Sequence, residues 1–185
     1  MLKIFVDMDD TINYMFEHFY EIGCFFGYEM KCLKPIDRDT WDLYNYVNSG
    51  STVSEKKKIV DRIFTSFNFW YDIPPRKDAM EVWQWRKTRF DIYIVTSPWM
   101  HDYVKCVEQK YLWIKKYFPI DFTHFIPISD KSLLDGDIII DDSPKVLDNF
   151  KGIKITINKG YNTGCEVDYR ASNWYDIKTF IENIF

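Results

Sequence analysis

A short apolar strand that runs directly into two aspartates constrains the fold of this chain most. Leu2–Val6 is followed at once by Asp7-Met8-Asp9-Asp10-Thr11. In an open α/β sheet, ligands bind beyond the carboxyl ends of the strands, so Asp7 and Asp9 are expected to lie where a substrate and a cation meet. The pattern predicts an α/β fold with a phosphoryl-transfer site at the end of its first strand.

The chemistry of a phosphate monoester explains why two carboxylates are needed. Phosphate repels a carboxylate nucleophile unless a hard divalent cation lies between them, and Mg²⁺ prefers oxygen ligands. We expect Asp7 to bind the metal and attack phosphorus, giving an aspartyl phosphate. Asp9 would protonate the leaving alkoxide and later deprotonate the attacking water. The alternative interpretation is an ordinary surface turn, because aspartate is common in turns for local hydrogen-bonding reasons.

Two later strand-like segments also end in polar residues. The run at 91–95 and the run at 137–140 are both apolar, and a lysine precedes the second of them. Taken alone, each polar group is more simply explained as an ordinary strand-end residue, a solvated surface charge or part of a turn. Their joint occurrence at three strand ends favours one site. The residues concerned are Thr96, Ser97, Lys131, Asp141 and Asp142.

These motifs, in this order, resemble the haloacid dehalogenase (HAD) superfamily and, within it, the 5′(3′)-deoxyribonucleotidase family. Members of that family remove phosphate from deoxyribonucleoside monophosphates with Mg²⁺ as cofactor, and the resemblance implies the same activity here. The alternatives are a phosphatase for another small metabolite or a nucleic-acid 3′-phosphate, and a non-catalytic binding module. The resemblance covers residues 2 to 150, and its motifs are the stretches 6–9, 95–98, 110–118 and 140–144.

The resemblance also implies which residues carry catalysis and hold the metal. Asp7 would be both nucleophile and metal ligand. Asp9 would be the general acid and base and would offer its backbone carbonyl to the metal. Asp142, with Asp141 beside it, would complete the magnesium shell.

Substrate-binding roles follow from the same resemblance. Thr96 and Ser97 would bind the phosphate, and Lys131 would neutralise the phosphate and the nucleophile. Trp41 and Phe64 fall near base-contacting positions of the family, and an aromatic ring can stack on a base for roughly 1–3 kcal/mol. The predicted substrate is therefore a deoxynucleoside monophosphate.

The fold expected is a Rossmann-like HAD core with a central parallel sheet and a small helical cap inserted after the first strand. Residues 1–12 and 77–185 would form the core, and residues 13–76 the cap. Within the cap, two helical patterns are indicated by apolar spacing. The first contains Met15, Phe16, Phe19, Tyr20 and Ile22, and the second contains Ile59, Val60, Ile63, Phe64 and Phe67.

Apolar spacing also predicts the elements of the core. A helix is expected from Lys77 to Arg89 and another from Lys105 to Phe118, with Val107, Tyr111, Ile114 and Phe118 on its apolar side. The tail from Trp174 should be helical. Further strands are predicted at Thr123–Ile128 and Ile153–Ile157.

Composition limits the other classes of protein. A net charge of −4 argues against binding a long nucleic acid, which needs clustered cations. The four cysteines lack CxxC spacing, so neither a zinc site nor a disulfide framework is indicated, and idle thiols are expected. The chain enters its first strand without a signal peptide and contains no membrane-spanning run, so we expect a cytoplasmic protein with no membrane partner. A homodimer is compatible with the sequence.

Overall fold

Parallel strands form the centre of the molecule. The computed structural model describes residues 1–31, 37–84 and 90–185. Within these ranges, six strands form one parallel sheet in the order β3-β2-β1-β4-β5-β6. They are β1 (Leu2–Asp7), β2 (Phe90–Thr96), β3 (Phe125–Pro127), β4 (Ile138–Ile140), β5 (Ile153–Ile157) and β6 (Tyr169–Ala171). The predicted strands are confirmed, and β6 is an additional short strand at the edge.

Helices connect the strands. The predicted helices are present, and the residues at which they begin or end differ slightly from those predicted. Residues 85–89 of the helix predicted over 77–89 lie outside the described ranges, as does Cys32. None of the described helices has the length and apolarity needed to cross a membrane. The helices are α1 (Met15–Phe25), α2 (Val53–Phe64), α3 (Phe69–Asp72), α4 (Lys77–Trp83), α5 (Tyr103–Tyr117), α6 (Pro144–Asn149) and α7 (Trp174–Ile184).

The prediction that Phe67 lies on an apolar helix face is wrong. Phe67 was expected to continue the buried side of α2, but α2 ends at Phe64 and the Phe67 side chain is 87% exposed. The chain turns just beyond it, because Asn68 adopts a left-handed conformation with φ of 57° before α3 begins. A residue in such a turn no longer follows the helical period, so the Phe67 ring is exposed to solvent instead of continuing the buried side of α2.

Apolar layers cover both faces of the sheet, which explains why β1 is apolar at successive positions. Ile4 and Val6 belong to one buried cluster, which also contains Trp113 of α5 and residues of α4 and α7. Phe5 faces the opposite side, where a second cluster forms against α6. The central strand is therefore rigidly held up to its carboxyl end.

The strand order places that carboxyl end at a topological switch point. From β1 the chain builds β2 and β3 on one side, then crosses to build β4, β5 and β6 on the other. Val6 lies opposite Ile140 of β4, and Asp7 lies opposite Val95 of β2. A crevice opens at such a point beyond the carboxyl ends of the strands. The ends of β1, β2 and β4 therefore converge on one site.

The segment between β1 and α4 begins and ends at one place. Asn13 and Pro75 form an antiparallel bridge, and Arg76 N–H donates to the carbonyl of Ile12 at 2.9 Å. We call residues 13–76 the insertion. It contains α1, α2 and α3, whose apolar side chains form a cluster of their own with Cys106 of α5. Its α3 packs on α5, where Trp113 Nε1–H donates to the carbonyl of Ile73 at 2.6 Å.

Candidate active site

Three buried carboxylates and one buried lysine meet at the convergent strand ends. Asp7 is the last residue of β1, and Asp141 and Asp142 follow β4 directly. One carboxylate oxygen of each lies within 4.8 Å of the others. Lys131 Nζ donates to Asp7 Oδ1 and, at 2.6 Å, to Asp141 Oδ2. The structure thus brings together four residues that the sequence placed at separate strand ends.

Burial and mutual charge set the protonation of this group. Burial raises the pKa of Asp7 to about 7, although the charge of Lys131 opposes the rise. The pKa of Asp142 is raised well above its usual range by burial and by its acidic neighbours. Burial alone would lower the pKa of Lys131, but Asp141 and Asp7 outweigh it and raise the value. Three carboxylates therefore share the single positive charge of Lys131 in this group.

The oxygens of the acidic pair differ in how far they are satisfied. Asp141 Oδ1 accepts from Ser143 N–H at 2.8 Å and its Oδ2 accepts from Lys131. Asp142 Oδ2 accepts from the hydroxyl of Tyr161, whereas its Oδ1 is buried without a hydrogen-bond partner in the described part of the chain. A buried carboxylate oxygen without a donor is costly unless a cation meets it. An all-oxygen donor set with one open oxygen fits Mg²⁺.

The second motif aspartate has a cation of its own. Lys110 Nζ donates to Asp9 Oδ2, to Thr96 Oγ1 at 2.8 Å and to the Ser97 carbonyl at 3.2 Å. Asn13 Nδ2 donates to the other oxygen of Asp9 at 3.2 Å. The Asp9 side chain remains 21% exposed and lies outside the group of three carboxylates. Asp9 is thus held between two donors, beside the strand end that carries Thr96.

Sequence reasoning gave Lys110 no role in the site, although this lysine begins one of the four motif stretches, 110–118. The Lys110 side chain is fully buried at 0% exposure, with its ammonium 4.5 Å from the centre of the Trp70 ring. The sequence did contain a signal. Lys110 lies one turn from Cys106 and Ile114, so a lysine occupies the apolar stripe of α5, where burial is rare without a partner.

A buried ion pair between the insertion and the loop after β1 was also missed. Arg38 Nη1 donates to Asp10 Oδ2 at 2.6 Å, and both side chains are almost fully buried. Asp10 has φ of 57° and accepts from Phe16 N–H with its other oxygen at 2.9 Å. Burial alone raises the pKa of Asp10, but the charges of Arg38 and Lys159 outweigh it and lower the value. The ion pair ties residue 38 of the insertion to the loop after β1, and the hydrogen bond from Phe16 ties the start of α1 to the same aspartate.

An aromatic cavity of about 400 Å³ opens beside Asp9. Phe64 is buried but borders it, with ring centres of Trp70 and Trp99 at 4.7 and 4.8 Å. Trp41 borders the cavity and is 46% exposed. Other bordering residues are Asp10, Met15, Arg38, Leu43, Ser97, Pro98, Met100, His101 and Ser129. Of the residues predicted to contact phosphate and base, Ser97, Trp41 and Phe64 border this cavity, whereas the buried Thr96 and Lys131 are not among its bordering residues.

The fold and the buried carboxylates define a class of protein. The structure aligns with a haloacid dehalogenase-like hydrolase from Streptococcus pneumoniae with a TM-score of 0.61, at 12% identity and over 98% of each chain. It aligns with a haloacid dehalogenase-like protein from Agrobacterium tumefaciens with a TM-score of 0.58, at 12% identity and again over 98% of each. The chain thus has the fold of the HAD hydrolases.

Sequence comparison narrows the class to a family. Residues 1–184 match the family model described as "5' nucleotidase, deoxy (Pyrimidine), cytosolic type C protein". The chain is 33% identical to the 5'(3')-deoxyribonucleotidase of Clostridium acetobutylicum over 184 residues, which is 97% of this chain and 94% of that one. The chain belongs to this family of nucleotidases and is a phosphatase. The resemblance noted from the motifs is confirmed.

Proposed function

We propose that the protein is a Mg²⁺-dependent phosphomonoesterase that dephosphorylates deoxyribonucleoside 5′-monophosphates, and also 3′-monophosphates, through an aspartyl phosphate on Asp7. One observation carries the proposal: the buried group of Asp7, Lys131, Asp141 and Asp142 lies at the strand ends, beside an aromatic cavity bordered by Asp9. The name of the Clostridium relative supports the substrate class.

We assign the metal to Asp7 and Asp142, with the backbone carbonyl of Asp9 as a third protein ligand. Asp142 is preferred to Asp141 as a direct ligand, because both oxygens of Asp141 already accept hydrogen bonds. Asp141 would instead hold Lys131 in place. Bound Mg²⁺ supplies positive charge that offsets the phosphate and favours the ionised form of the nucleophile.

Two displacements then complete the reaction. The Asp7 carboxylate attacks phosphorus, the P–O bond to the nucleoside breaks, and Asp9 gives its proton to the departing alkoxide. Asp9 next takes a proton from water, whose oxygen attacks the aspartyl phosphate and releases phosphate and free Asp7. Lys110 and Asn13 hold the Asp9 carboxylate during both steps.

Phosphate and base would occupy different parts of the site. Thr96, Ser97 and Lys131 would bind phosphate oxygens, since they lie around the strand ends that carry the nucleophile. Trp41 and Phe64 would contact the base inside the aromatic cavity. In this arrangement the insertion, residues 13–76, acts as a cap that selects the substrate, and the core at 1–12 and 77–185 performs the chemistry.

A substrate panel tests the proposal. Phosphate release would be measured from 5′- and 3′-deoxynucleoside monophosphates, their ribose counterparts and several sugar phosphates, with Mg²⁺ and with EDTA. We expect metal-dependent release that favours deoxynucleotides. Release from sugar phosphates alone would retain the core chemistry and reject the substrate class. No release from any substrate would reject the proposed activity.

Replacing the nucleophile tests the mechanism. Asp7→Asn keeps the size of the side chain but removes the attacking carboxylate, so we expect turnover to fall by roughly 10³-fold or more. Asp121→Asn, a similar change at an exposed position just before β3, should leave turnover unchanged. Full activity in Asp7→Asn, measured with the preferred deoxynucleotide, would exclude Asp7 as nucleophile.

A further inference from the structure

A segment outside the sequence motifs holds Asp142. Tyr161 lies in a short 3-10 helix, Gly160–Asn162, that follows β5, and its hydroxyl donates to Asp142 Oδ2. The next residue, Asn162, donates its side-chain amide to the main-chain carbonyl of Asp142 at 3.2 Å. The same amide contacts Thr156 Oγ1 at 3.0 Å. Both the carboxylate and the backbone carbonyl of Asp142 therefore accept hydrogen bonds from the segment that follows β5.

The ring of Tyr161 is in turn enclosed by residues of the insertion. The Arg38 guanidinium carbon lies 4.6 Å from the centre of the Tyr161 ring. The Trp41 ring meets the Tyr161 ring edge-on, with ring centres 5.3 Å apart and planes at 80°. Arg38 is itself anchored by its ion pair with Asp10 at 2.6 Å. Two side chains from the insertion thus set the position of a ring whose hydroxyl reaches Asp142.

We propose that Tyr161 is a positioning residue of the metal site and that Arg38 and Trp41 set its position, so that the insertion controls how tightly Mg²⁺ binds. This inference rests on the proposed function, because it takes Asp142 to be a metal ligand. It adds a connection that the four motifs do not contain. The insertion would then act on the metal site as well as on the substrate.

The hydrogen bond from Tyr161 provides the physical basis. A phenol that donates to Oδ2 keeps the Asp142 carboxylate in one orientation and leaves Oδ1, which has no other partner in the described chain, free for the cation. Without the Tyr161 hydroxyl the Asp142 carboxylate can rotate. Binding of Mg²⁺ must then fix the carboxylate in one orientation, and this lost freedom lowers the affinity for the ion. Loss of a group that orients a ligand typically weakens metal binding by roughly 10–100-fold.

Calorimetric titration of the nucleotide-free protein with Mg²⁺ tests the inference directly. Tyr161→Phe should weaken Mg²⁺ binding by roughly 10–100-fold. Its turnover should recover when the Mg²⁺ concentration is raised, so the change should appear in the Mg²⁺ activation constant more than in kcat. Tyr93→Phe is the matched control, because the Tyr93 hydroxyl also donates to an aspartate, Asp91, at 3.0 Å, but both residues lie on β2 and neither contacts Asp142 through this bond. It should bind Mg²⁺ like the wild type.

A second pair of variants tests the part played by the insertion. Trp41→Leu should weaken Mg²⁺ binding several-fold without nucleotide, because the Tyr161 ring loses one of its supports. Combining it with Tyr161→Phe should add little, since both changes act through the same hydroxyl. Trp99→Leu, which alters a ring of the same cavity that packs on Phe64, should not change Mg²⁺ binding.

The outcomes separate this inference from the proposed function. If the wild type binds Mg²⁺ and Tyr161→Phe binds it equally well, the inference is overturned and the proposed function stands. If Trp41→Leu and Tyr161→Phe have fully additive effects, Trp41 does not act through Tyr161 and the link to the insertion is overturned. If the wild type binds no Mg²⁺, both the metal assignment and this inference are rejected.

Discussion

Two lysines pair with three of the four carboxylates of the site, and no carboxylate is shared between them. Lys131 pairs with Asp7 and Asp141, whereas Lys110 pairs with Asp9. Both lysines are buried, and removing one partner of a buried pair leaves the other charge uncompensated. Asp7 and Asp9, the proposed nucleophile and general acid, therefore lie in different electrostatic surroundings, although only one residue separates them in the chain. Such asymmetry lets one carboxylate attack while the other moves protons.

Removing the charge of Lys110 should impair proton transfer. In Lys110→Gln the proposed general acid, Asp9, loses the donor that orients it, and we expect kcat to fall by roughly 10²-fold, at the low end of what general acid–base catalysis contributes. The matched control is Lys105→Gln on the same helix, whose ammonium contacts the Thr65 carbonyl at 3.2 Å. Steady-state kinetics with a deoxynucleotide would compare the two variants. Equal turnover in both would show that Lys110 is only structural.

Glu17, in the first turn of α1, provides a prediction about pH. Burial, with a contribution from the charge of Asp10, raises the pKa of Glu17 above its usual 4.5, and its Oε2 has no hydrogen-bond partner within the described residues. A carboxyl whose pKa is higher in the folded state stabilises the fold below its unfolded value and loses that contribution as pH rises through the folded value. Ionised Glu17 is therefore unfavourable at neutral pH.

Glu17→Gln should therefore be more stable than the wild type at pH 7 to 8. The difference should shrink towards zero near pH 4, where the wild-type carboxyl is protonated in both states. Thermal unfolding between pH 4 and 8 would measure it. Glu21→Gln on the exposed side of the same helix should show no comparable trend. A difference between Glu17→Gln and the wild type that stays constant with pH would contradict the stated origin.

At the scale of elements, α2 shows how local sequence positions one wall of the cavity. Thr52 Oγ1 accepts from Glu55 N–H at 3.2 Å, and the Glu55 carboxylate accepts from Thr52 N–H at 3.0 Å, which together form a capping box. The helix then runs to Phe64, which borders the cavity. Where α2 begins decides which turn carries Phe64 and hence where that ring lies.

Loss of the cap should destabilise α2 measurably. Thr52→Ala removes the acceptor for Glu55 N–H, and we expect a loss of about 1 kcal/mol in the free energy of unfolding. Ser54→Ala, two residues on and exposed, is the matched control and should have little effect. Denaturant unfolding would measure both. Equal stability of the two variants would show that the capping box is not needed for α2.

The apolar faces of the elements were only partly predictable. The stripe predicted for α5 included Val107 and Tyr111, which are partly buried, whereas Cys106 and Trp113 are fully buried. Periodicity locates a helix and its general orientation. It does not say which neighbour each residue meets, and α5 packs on both the sheet and α3. Contact on two sides widens its buried face beyond a single stripe, and Lys110 falls within it.

At the scale of the whole molecule, the site is assembled at a cost in stability. Asp7, Asp141 and Asp142 bring like charges together in a buried site, and Asp142 Oδ1 is without a donor in the part of the chain that the structure describes. Repulsion of this kind is tolerated where function requires it. A cation that binds only the folded state relieves it and stabilises the fold by mass action. Because the proposed function places Mg²⁺ at this site, the molecule should be least stable in EDTA.

Asp142→Asn should raise the Tm in EDTA while it abolishes Mg²⁺-dependent turnover. The amide keeps an acceptor for Tyr161 and offers an N–H towards the other carboxylates, so a buried charge becomes a donor. A gain of about 1 kcal/mol corresponds to about 2–4 °C in Tm for a chain of this size. Asp148→Asn, an exposed position on α6, should leave the Tm unchanged. Mg²⁺ should raise the Tm of the wild type and of Asp148→Asn but not that of Asp142→Asn, and a lower Tm of Asp142→Asn in EDTA would contradict the argument.

The parallel sheet and the residues that end its central strands can be predicted from the sequence alone. Each strand is a local apolar run, and the polar residue that follows is its immediate neighbour in the chain. Because parallel strands end at one edge of a sheet, Asp7, Thr96 and Asp141 were expected together before any contact was known. Local order along the chain and one rule of sheet geometry were sufficient for this part of the site.

The side chains that hold those residues in place are revealed by the packing of the folded chain and not by the sequence motifs. Lys110 is 101 positions from Asp9, Arg38 is 28 positions from Asp10, and Tyr161 is 19 positions from its carboxylate partner. No spacing rule links residues so far apart, because their contact depends on how helices and the insertion pack around the sheet. The reactive side chains of the site thus lie at the strand ends, whereas the side chains that orient them are brought there by packing between elements.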